Sequence, residues 1–358
     1  MMIAASLGRR SFLFHLFPLV LLRGWQQRSV EPVKAIVTEE GQRVVFPRQT
    51  WQARELAKRL PLEDPWPTGP DLRKALVRFG LDRDTPPAPI PMPAQIAPDV
   101  YLVGQEKVTN LTYLIDCGAD GLLILDPTFE SEIERTLANV EKCGFSARKV
   151  RWVINTHCHM DHAMADAKFR QMGAEIMVHE ADAEAIEKAT RATAWYFVGK
   201  QSGIFTFPPS KVDRRLSDGE ELKLGNKVLQ VIHTPGHTPG SACFLLQVEG
   251  QNLLLSGDTV FYDGMLGWQL NPYADNQRYL ASLEKLLKFA LDLAPVRWDV
   301  LLPGHGAMAL DKAYLDVQKD RDMLAGDLAA ARDVVVTPHS RPEYRKRMFG
   351  RPATKAVG

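Results

Sequence analysis

The chain has 358 residues, a formal net charge of +1, and 45% hydrophobic and 24% charged residues. That length supports one large domain with an appendage or two modest domains, and that composition excludes wholesale disorder and a polytopic membrane protein. The near-zero charge excludes a chain-wide attraction to nucleic acid, and Cys117, Cys143, Cys158 and Cys243, scattered without paired spacing, indicate no disulfide framework.

Residues 1–29 read as a signal or leader. Arg9 and Arg10 precede Ser11-Phe12-Leu13 and an apolar run to Leu22, a pattern similar to a twin-arginine export signal. His15 and Pro18 interrupt the run, and Arg23-Gly24-Trp25 stands where a cleavage site belongs, so export signal, interfacial anchor and structured leader all stay open, and with them an exported or a cytoplasmic location. The run is too short for a stable membrane span, which needs about 20 residues. Residues 30–98 form an N-terminal extension, with helical patterns over Gln52 to Leu60 and Asp71 to Phe79. It ends in a strap from Thr85 to Pro98 whose six prolines exclude helix and central strand.

From residue 99 to about 310 short apolar runs alternate with helical stretches. Strands are expected at Val100 to Val103, Leu111 to Ile115, Leu122 to Leu125, Val150 to Ile154 and Ile176 to Val178, with helices at Glu130 to Cys143 and Asp161 to Met172. A second strand-rich block covers Glu220 to Leu224, Val228 to Ile232, Ala242 to Val248 and Leu253 to Leu255. A helix from Asn276 to Leu293 and a strand near Val300 to Leu302 follow. Two groups of strands, each with helices after it, predict an α/β fold of two central sheets with helices outside. Residues 311–358 read as a C-terminal helix and a basic tail, where Arg341, Arg345, Lys346, Arg347, Arg351 and Lys355 face only Glu343. Such a run is ordinarily a solvated tail.

Four loop-borne motifs carry the chemistry: Thr156-His157-Cys158-His159-Met160-Asp161-His162, then Thr234-Pro235-Gly236-His237-Thr238-Pro239-Gly240-Ser241, then Ser256-Gly257-Asp258-Thr259, then Pro303-Gly304-His305-Gly306. Each follows an apolar run that reads as a strand, so their polar groups converge on one rim of the sandwich. His157 and His159, two apart in extended backbone, point the same way and can bind one metal, while Asp161 and His162, after the chain has turned, address a second. Asp258 can bridge both cations. Imidazole and carboxylate donors without thiolate suit zinc by default, and iron or manganese as well. Cys158 should face away from its flanking histidines, and His179, His233 and His339 read as ordinary satisfied residues.

These motifs resemble those of the metallo-β-lactamase superfamily, in its order and spacing, over about Ala97 to Leu310. The resemblance implies a four-layer αββα sandwich preceded here by the N-terminal extension. It also implies a dinuclear site with His157, His159 and His237 on the first ion, Asp161, His162 and His305 on the second, and Asp258 between them. Two zinc ions about 3.5–4 Å apart share a water and lower its pKa toward about 7, giving a hydroxide that attacks a carbonyl while Asp161 relays the proton. Gly-Asp-Thr-Val-Phe after the His237 motif is similar to glyoxalase II-like and lactonase-like members, so a small-molecule thioester or lactone is the expected substrate. A β-lactam hydrolase and a mononuclear iron persulfide dioxygenase-like oxidoreductase are the alternatives. The segment Phe261 to Trp268 reads as a pocket-lining loop, with Tyr262 as candidate oxyanion donor. The strap's stiffness favours fixed docking of the extension beside the active-site rim or across a homodimer interface.

Overall fold

The computed structural model describes residues 35–46, 69–81, 92–105, 110–194, 206–267 and 271–330, together with the single positions 30, 33, 52, 55, 56, 59, 60, 200 and 269. The leader, the first part of the strap, residues 53, 54, 57 and 58 of the 52–60 helical pattern, Trp268, His339 and the basic tail lie outside the described residues.

The extension opens with a hairpin where helices alone were expected. Strands β1 (Ile36–Val37) and β2 (Arg43–Val45) pair antiparallel across a turn in which Gly41 takes φ +69, a value glycine adopts without steric cost. Helix α1 (Gly69–Arg78) follows, overlapping the predicted 71–79 helix. The end of the strap is strand β3 (Ala94–Ala97), paired antiparallel with β4 (Val100–Gln105). Pro93 and Pro98 flank it, and extended backbone between prolines can pair at a sheet edge, where a missing donor does no harm. The catalytic fold therefore takes up residues on both sides of the boundary expected at 98/99.

Strands β5 (Leu111–Asp116), β6 (Leu122–Leu125), β7 (Val150–Ile154), β8 (Glu175–His179) and β9 (Arg214–Leu216) complete a seven-stranded sheet in the order β3-β4-β5-β6-β7-β8-β9. It is antiparallel as far as β6 and parallel beyond. Helices α2 (Ile133–Lys142), α3 (Met160–Ala163), α4 (Asp166–Gln171) and α5 (Glu180–Lys188) lie between these strands in sequence. The single helix expected over Asp161 to Met172 is broken between α3 and α4. In a continuous helix the Ala165 N–H would donate to the Asp161 carbonyl; it donates instead to the Thr128 carbonyl, at 3.0 Å, and the Asp161 carbonyl accepts from the Asn110 carboxamide, also at 3.0 Å.

The second half supplies β10 (Glu221–Leu224), β11 (Lys227–His233), β12 (Ala242–Val248) and β13 (Gln251–Gly257), then helix α6 (Asn276–Leu287). The helix expected to reach Leu293 stops short, and the chain forms a small hairpin of β14 (Ala290–Leu291) and β15 (Ala294–Pro295) through Asp292 and Leu293, both at positive φ. Strands β16 (Val300–Pro303) and β17 (Met308–Ala309) and helix α7 (Tyr314–Ala329) follow. The eight-stranded sheet runs β1-β2-β17-β16-β13-β12-β11-β10.

Side chains alternate along each strand, which assigns the layers. Leu123, Leu125, Trp152 and Ile154 of one sheet meet Val231, Phe244, Leu253, Leu255 and Leu302 of the other in the central core. Their neighbours Leu122, Ile124 and Val153 face α2 and α4, and Leu245, Leu254 and Leu301 face α6 and α7. Strands buried on both faces read as unbroken apolar runs, as these do, and each fully buried leucine contributes roughly 1.5–3 kcal/mol. The result is the four-layer αββα sandwich, and no helix among the described residues is long and apolar enough to cross a membrane.

Candidate metal centre

All seven residues singled out as metal ligands meet at one rim of the sandwich. His157 and His159 sit on the loop leaving β7, Asp161 and His162 in α3, His237 after β11, Asp258 after β13 and His305 after β16. Their donor atoms form three overlapping groups, His157/His159/His237, His157/His162/Asp258 and Asp161/His162/His305, each with all donors within 4.8 Å of one another.

The distances fit a cation. His237 Nε2 lies 3.4 Å from Asp258 Oδ2, and His162 Nε2 and His305 Nε2 lie 3.4 and 3.5 Å from Asp258 Oδ1. His305 Nε2 is 3.2 Å from Asp161 Oδ2 and 3.2 Å from His162 Nε2. Ligands about 2.0–2.1 Å from a tetrahedral zinc ion stand about 3.3 Å apart. The buried Nε2 of His157 and both buried ring nitrogens of His237 have no hydrogen-bond partner among the described residues; such lone pairs are costly to bury unless a cation takes them. The residues therefore fit bound metal.

Protonation is arranged to match. Burial holds His157 well below its ordinary pKa and lowers His159 to about 4 and His237 to about 3, so these three rings are neutral, as metal ligation requires. Burial likewise opposes charge on His162 and His305, but Asp258 and Asp161 reverse the effect, raising His162 well above the usual range and His305 to about 9. Burial pushes Asp161 and Asp258 up, and the same two histidines more than offset it, holding both carboxyls well below the usual range. The site opens over Asp161 and His305, whose side chains are 29% and 19% exposed, whereas those of His162 and Asp258 are at 1% and 9%.

A supporting layer, absent from the sequence reading, aims these ligands. Asp126 accepts from the Thr156 N–H and hydroxyl, each at 2.8 Å, and lies 3.0 Å from His162 Nδ1, an orienting carboxylate of the kind metal-bound imidazoles use. Asp182 accepts from the Cys158 N–H, the Thr238 hydroxyl and the Gly240 N–H, fastening the His157 loop to the His237 loop. Gly304 and Gly267 are needed for space: a Cβ at Gly304 would stand 2.5 Å from Asp258 Oδ1, and one at Gly267 2.9 Å from His237 Nδ1. Asp126 follows an apolar run, Leu122 to Leu125, and so carried the same strand-end signal as the ligands.

Tyr262, the candidate oxyanion donor, is buried in the outer core. The turn after Asp258 sends Phe261 toward the site, its ring centroid 6.2 Å from that of His305, while Tyr262 packs edge-on against Phe46 at 5.4 Å in the outer core. Adjacent side chains in extended backbone point to opposite sides, and here the tyrosine took the core side. Asp320 and Asp316 of α7 accept from the Phe261 and Asp263 N–H groups, and Gln42 of the N-terminal hairpin donates to Asp316 at 2.7 Å. Cys158 points into an apolar cluster with Met160 and Val178. His179 and His233 stack on each other at 3.8 Å, apart from the ligand groups.

Comparison with known proteins agrees with this geometry. The metallo-beta-lactamase superfamily profile matches residues 107–305, more than half of the chain. The acyl-coenzyme A thioesterase MBLAC2 of Gallus gallus is 31% identical over 163 residues, covering 42% of this chain and 55% of that protein. A hydroxyacylglutathione hydrolase of Anaeromyxobacter dehalogenans is 34% identical over 156 residues, covering 43% and 48%. The chain thus spans about half the length of these curated relatives. Among solved structures, the metallo-beta-lactamase GOB-18 of Elizabethkingia meningoseptica superposes with a TM-score of 0.53 at 21% identity, over 67% of this chain and 92% of that one. The chain belongs to the metallo-beta-lactamase superfamily.

Proposed function

We propose that the chain is a dinuclear zinc hydrolase that cleaves a small-molecule thioester. The observation that carries this reading is Asp258, whose two oxygens face the two halves of the site, Oδ2 toward His237 and Oδ1 toward His162 and His305. A carboxylate so placed can serve two ions at once. When bound, the ions supply Lewis-acid polarisation of the substrate carbonyl and a water whose pKa is lowered toward about 7.

The chain's own residues do the rest. His157, His159 and His237, deep and neutral, form one triad of donors, and Asp161, His162 and His305 form the other. Asp126 fixes the tautomer of His162. Asp161, ionised and at the open mouth, can accept a proton and pass it to the departing group. A thiol, with a pKa of about 8.5, departs as thiolate with or without that proton, so a thioester makes the least demand on this relay. Two relatives named for acyl-coenzyme A and hydroxyacylglutathione support the thioester reading.

The test sets acyl-glutathione and acyl-coenzyme A thioesters beside an acyl-homoserine lactone, a cephalosporin and a phosphodiester, with metal content measured on the same protein. A thioester is expected to lead with close to two zinc ions bound. A phosphodiester or cephalosporin turned over faster by a large factor would overturn the substrate class. One iron and no ester hydrolysis would overturn the hydrolase.

A further inference from the structure

We propose that Asn110 is a positioning residue for the second metal subsite, holding Asp161 in the orientation that completes it; the inference rests on the dinuclear reading above. Asn110 is the residue just before β5, 8% exposed, at the rim of the seven-stranded sheet. Its backbone forms an isolated antiparallel bridge with His305, on the loop leaving the eight-stranded sheet, and the next residue, Leu111, donates its N–H to the Gly304 carbonyl at 2.8 Å. The residue is thereby fixed relative to one ligand of the second subsite by main chain alone.

Its side chain reaches another. Asn110 Nδ2 donates to the Asp161 carbonyl at 3.0 Å and to Asp161 Oδ2 at 3.1 Å. The carbonyl is the one released where α3 breaks from α4, so the amide replaces a lost helical bond. The carboxylate oxygen is the one that faces His305 Nε2 at 3.2 Å and His162 Nε2 at 3.7 Å. A carboxylate oxygen carries two lone pairs, so one can take the Asn110 N–H while the other points to a cation. With one NH₂ group gripping both the main chain and the side chain of Asp161, its rotamer is set, although that carboxylate is more exposed than the side chains of His162, Asp258 and His305. The hydrogen bond also draws charge from the ligand oxygen, which weakens ligation slightly; orientation outweighs this, because loss of such outer partners ordinarily costs about 10–100-fold in metal affinity.

The experiment is a zinc titration against a competing chromophoric chelator, in wild type, N110A and N110L, with thermal unfolding of each metal-free protein. Alanine removes the donors and leaves a small gap, while leucine removes them and fills it, so one variant remains informative if the other fails to fold. The expected result is that the second zinc binds about 10–100-fold more weakly, the first zinc is unchanged, kcat falls more than KM rises, and the metal-free variants melt close to wild type. Equal weakening of both ions together with a large loss of metal-free stability would show a merely structural role and overturn the proposal. Unchanged binding of both ions in a wild type that holds two overturns the Asn110 assignment alone. A wild type that holds one ion overturns this proposal and the dinuclear reading together.

Discussion

Gly304→Ala tests the site by displacement without removing any ligand. A Cβ at this position would stand 2.5 Å from Asp258 Oδ1, 2.6 Å from His162 Cε1 and 3.2 Å from the Gly257 carbonyl carbon. Restoring a tolerable contact requires Asp258 or the loop to retreat by roughly 0.7 Å. Metal–ligand distances tolerate about 0.2 Å, so the displacement is several times what the ions can absorb. Overpacking of this kind costs about 1–3 kcal/mol, and misplacement near 1 Å costs about 100-fold in rate. The expected outcome is a folded protein with a melting temperature lower by roughly 2–10 °C, fewer than two bound ions and kcat/KM reduced about 100-fold. Elemental analysis, thermal unfolding and initial rates on one preparation check all three. Full occupancy with wild-type kcat/KM would refute the claim that Asp258 and His162 are held where a Cβ cannot go.

Asp126→Ala strips the acceptor from the Thr156 N–H, the Thr156 hydroxyl and His162 Nδ1; it should cost roughly 3 kcal/mol and weaken zinc binding about 10–100-fold, read by denaturant unfolding and chelator competition. Asp316 is fully buried, and burial raises its carboxyl to about 7 against the hydrogen bonds from Asp263 and Gln42. Its folded pKa is raised, so its contribution is complete below about pH 4 and is lost as pH rises through about 7; the melting temperature of Asp316→Asn minus that of wild type should therefore increase from pH 5 to pH 8, and a difference that stays flat refutes this. Chelation should destabilise the protein by about 2.7 kcal/mol for each ion whose free concentration is 100 times its Kd, and a melting curve indifferent to chelator would count against a bound metal.

The convergence of the seven candidate ligands was legible in the sequence because each is fixed by a local rule: a strand ends, a glycine or proline turns the chain, and an imidazole or carboxylate comes next. The same rule would have found Asp126, which ends Leu122 to Leu125, but a lone aspartate before Pro127 lacks the repetition that marked the histidines. The packing of Tyr262 against Phe46 was not legible, because the direction of its side chain depends on a turn whose Asp263 has φ +61 and is held from α7, a partner far along the chain. The hairpin at Ile36–Val45 escaped for the opposite reason: its strands are two and three residues long, shorter than any periodicity can register, and they exist because β17 supplies an edge. The break between α3 and α4 depends on Asn110 and Thr128, tertiary partners that override local helical preference.

The pairing of β2 with β17 joins Val44 and Val45 to Ala309 and Met308, and Gln42 reaches the Asp311 carbonyl across 269 positions. During synthesis at about 5–20 residues per second, the hairpin therefore waits on the order of tens of seconds for its partner to be made. Until then β2 has no neighbouring strand beyond its own hairpin, α7 does not exist, and the Phe261–Asp263 turn beside His305 lacks the carboxylates that hold it. The rim that carries the candidate ligands is framed by segments near residues 42–45 and 308–320, so a nascent chain lacking residues beyond 305 holds all seven candidate ligands without that frame.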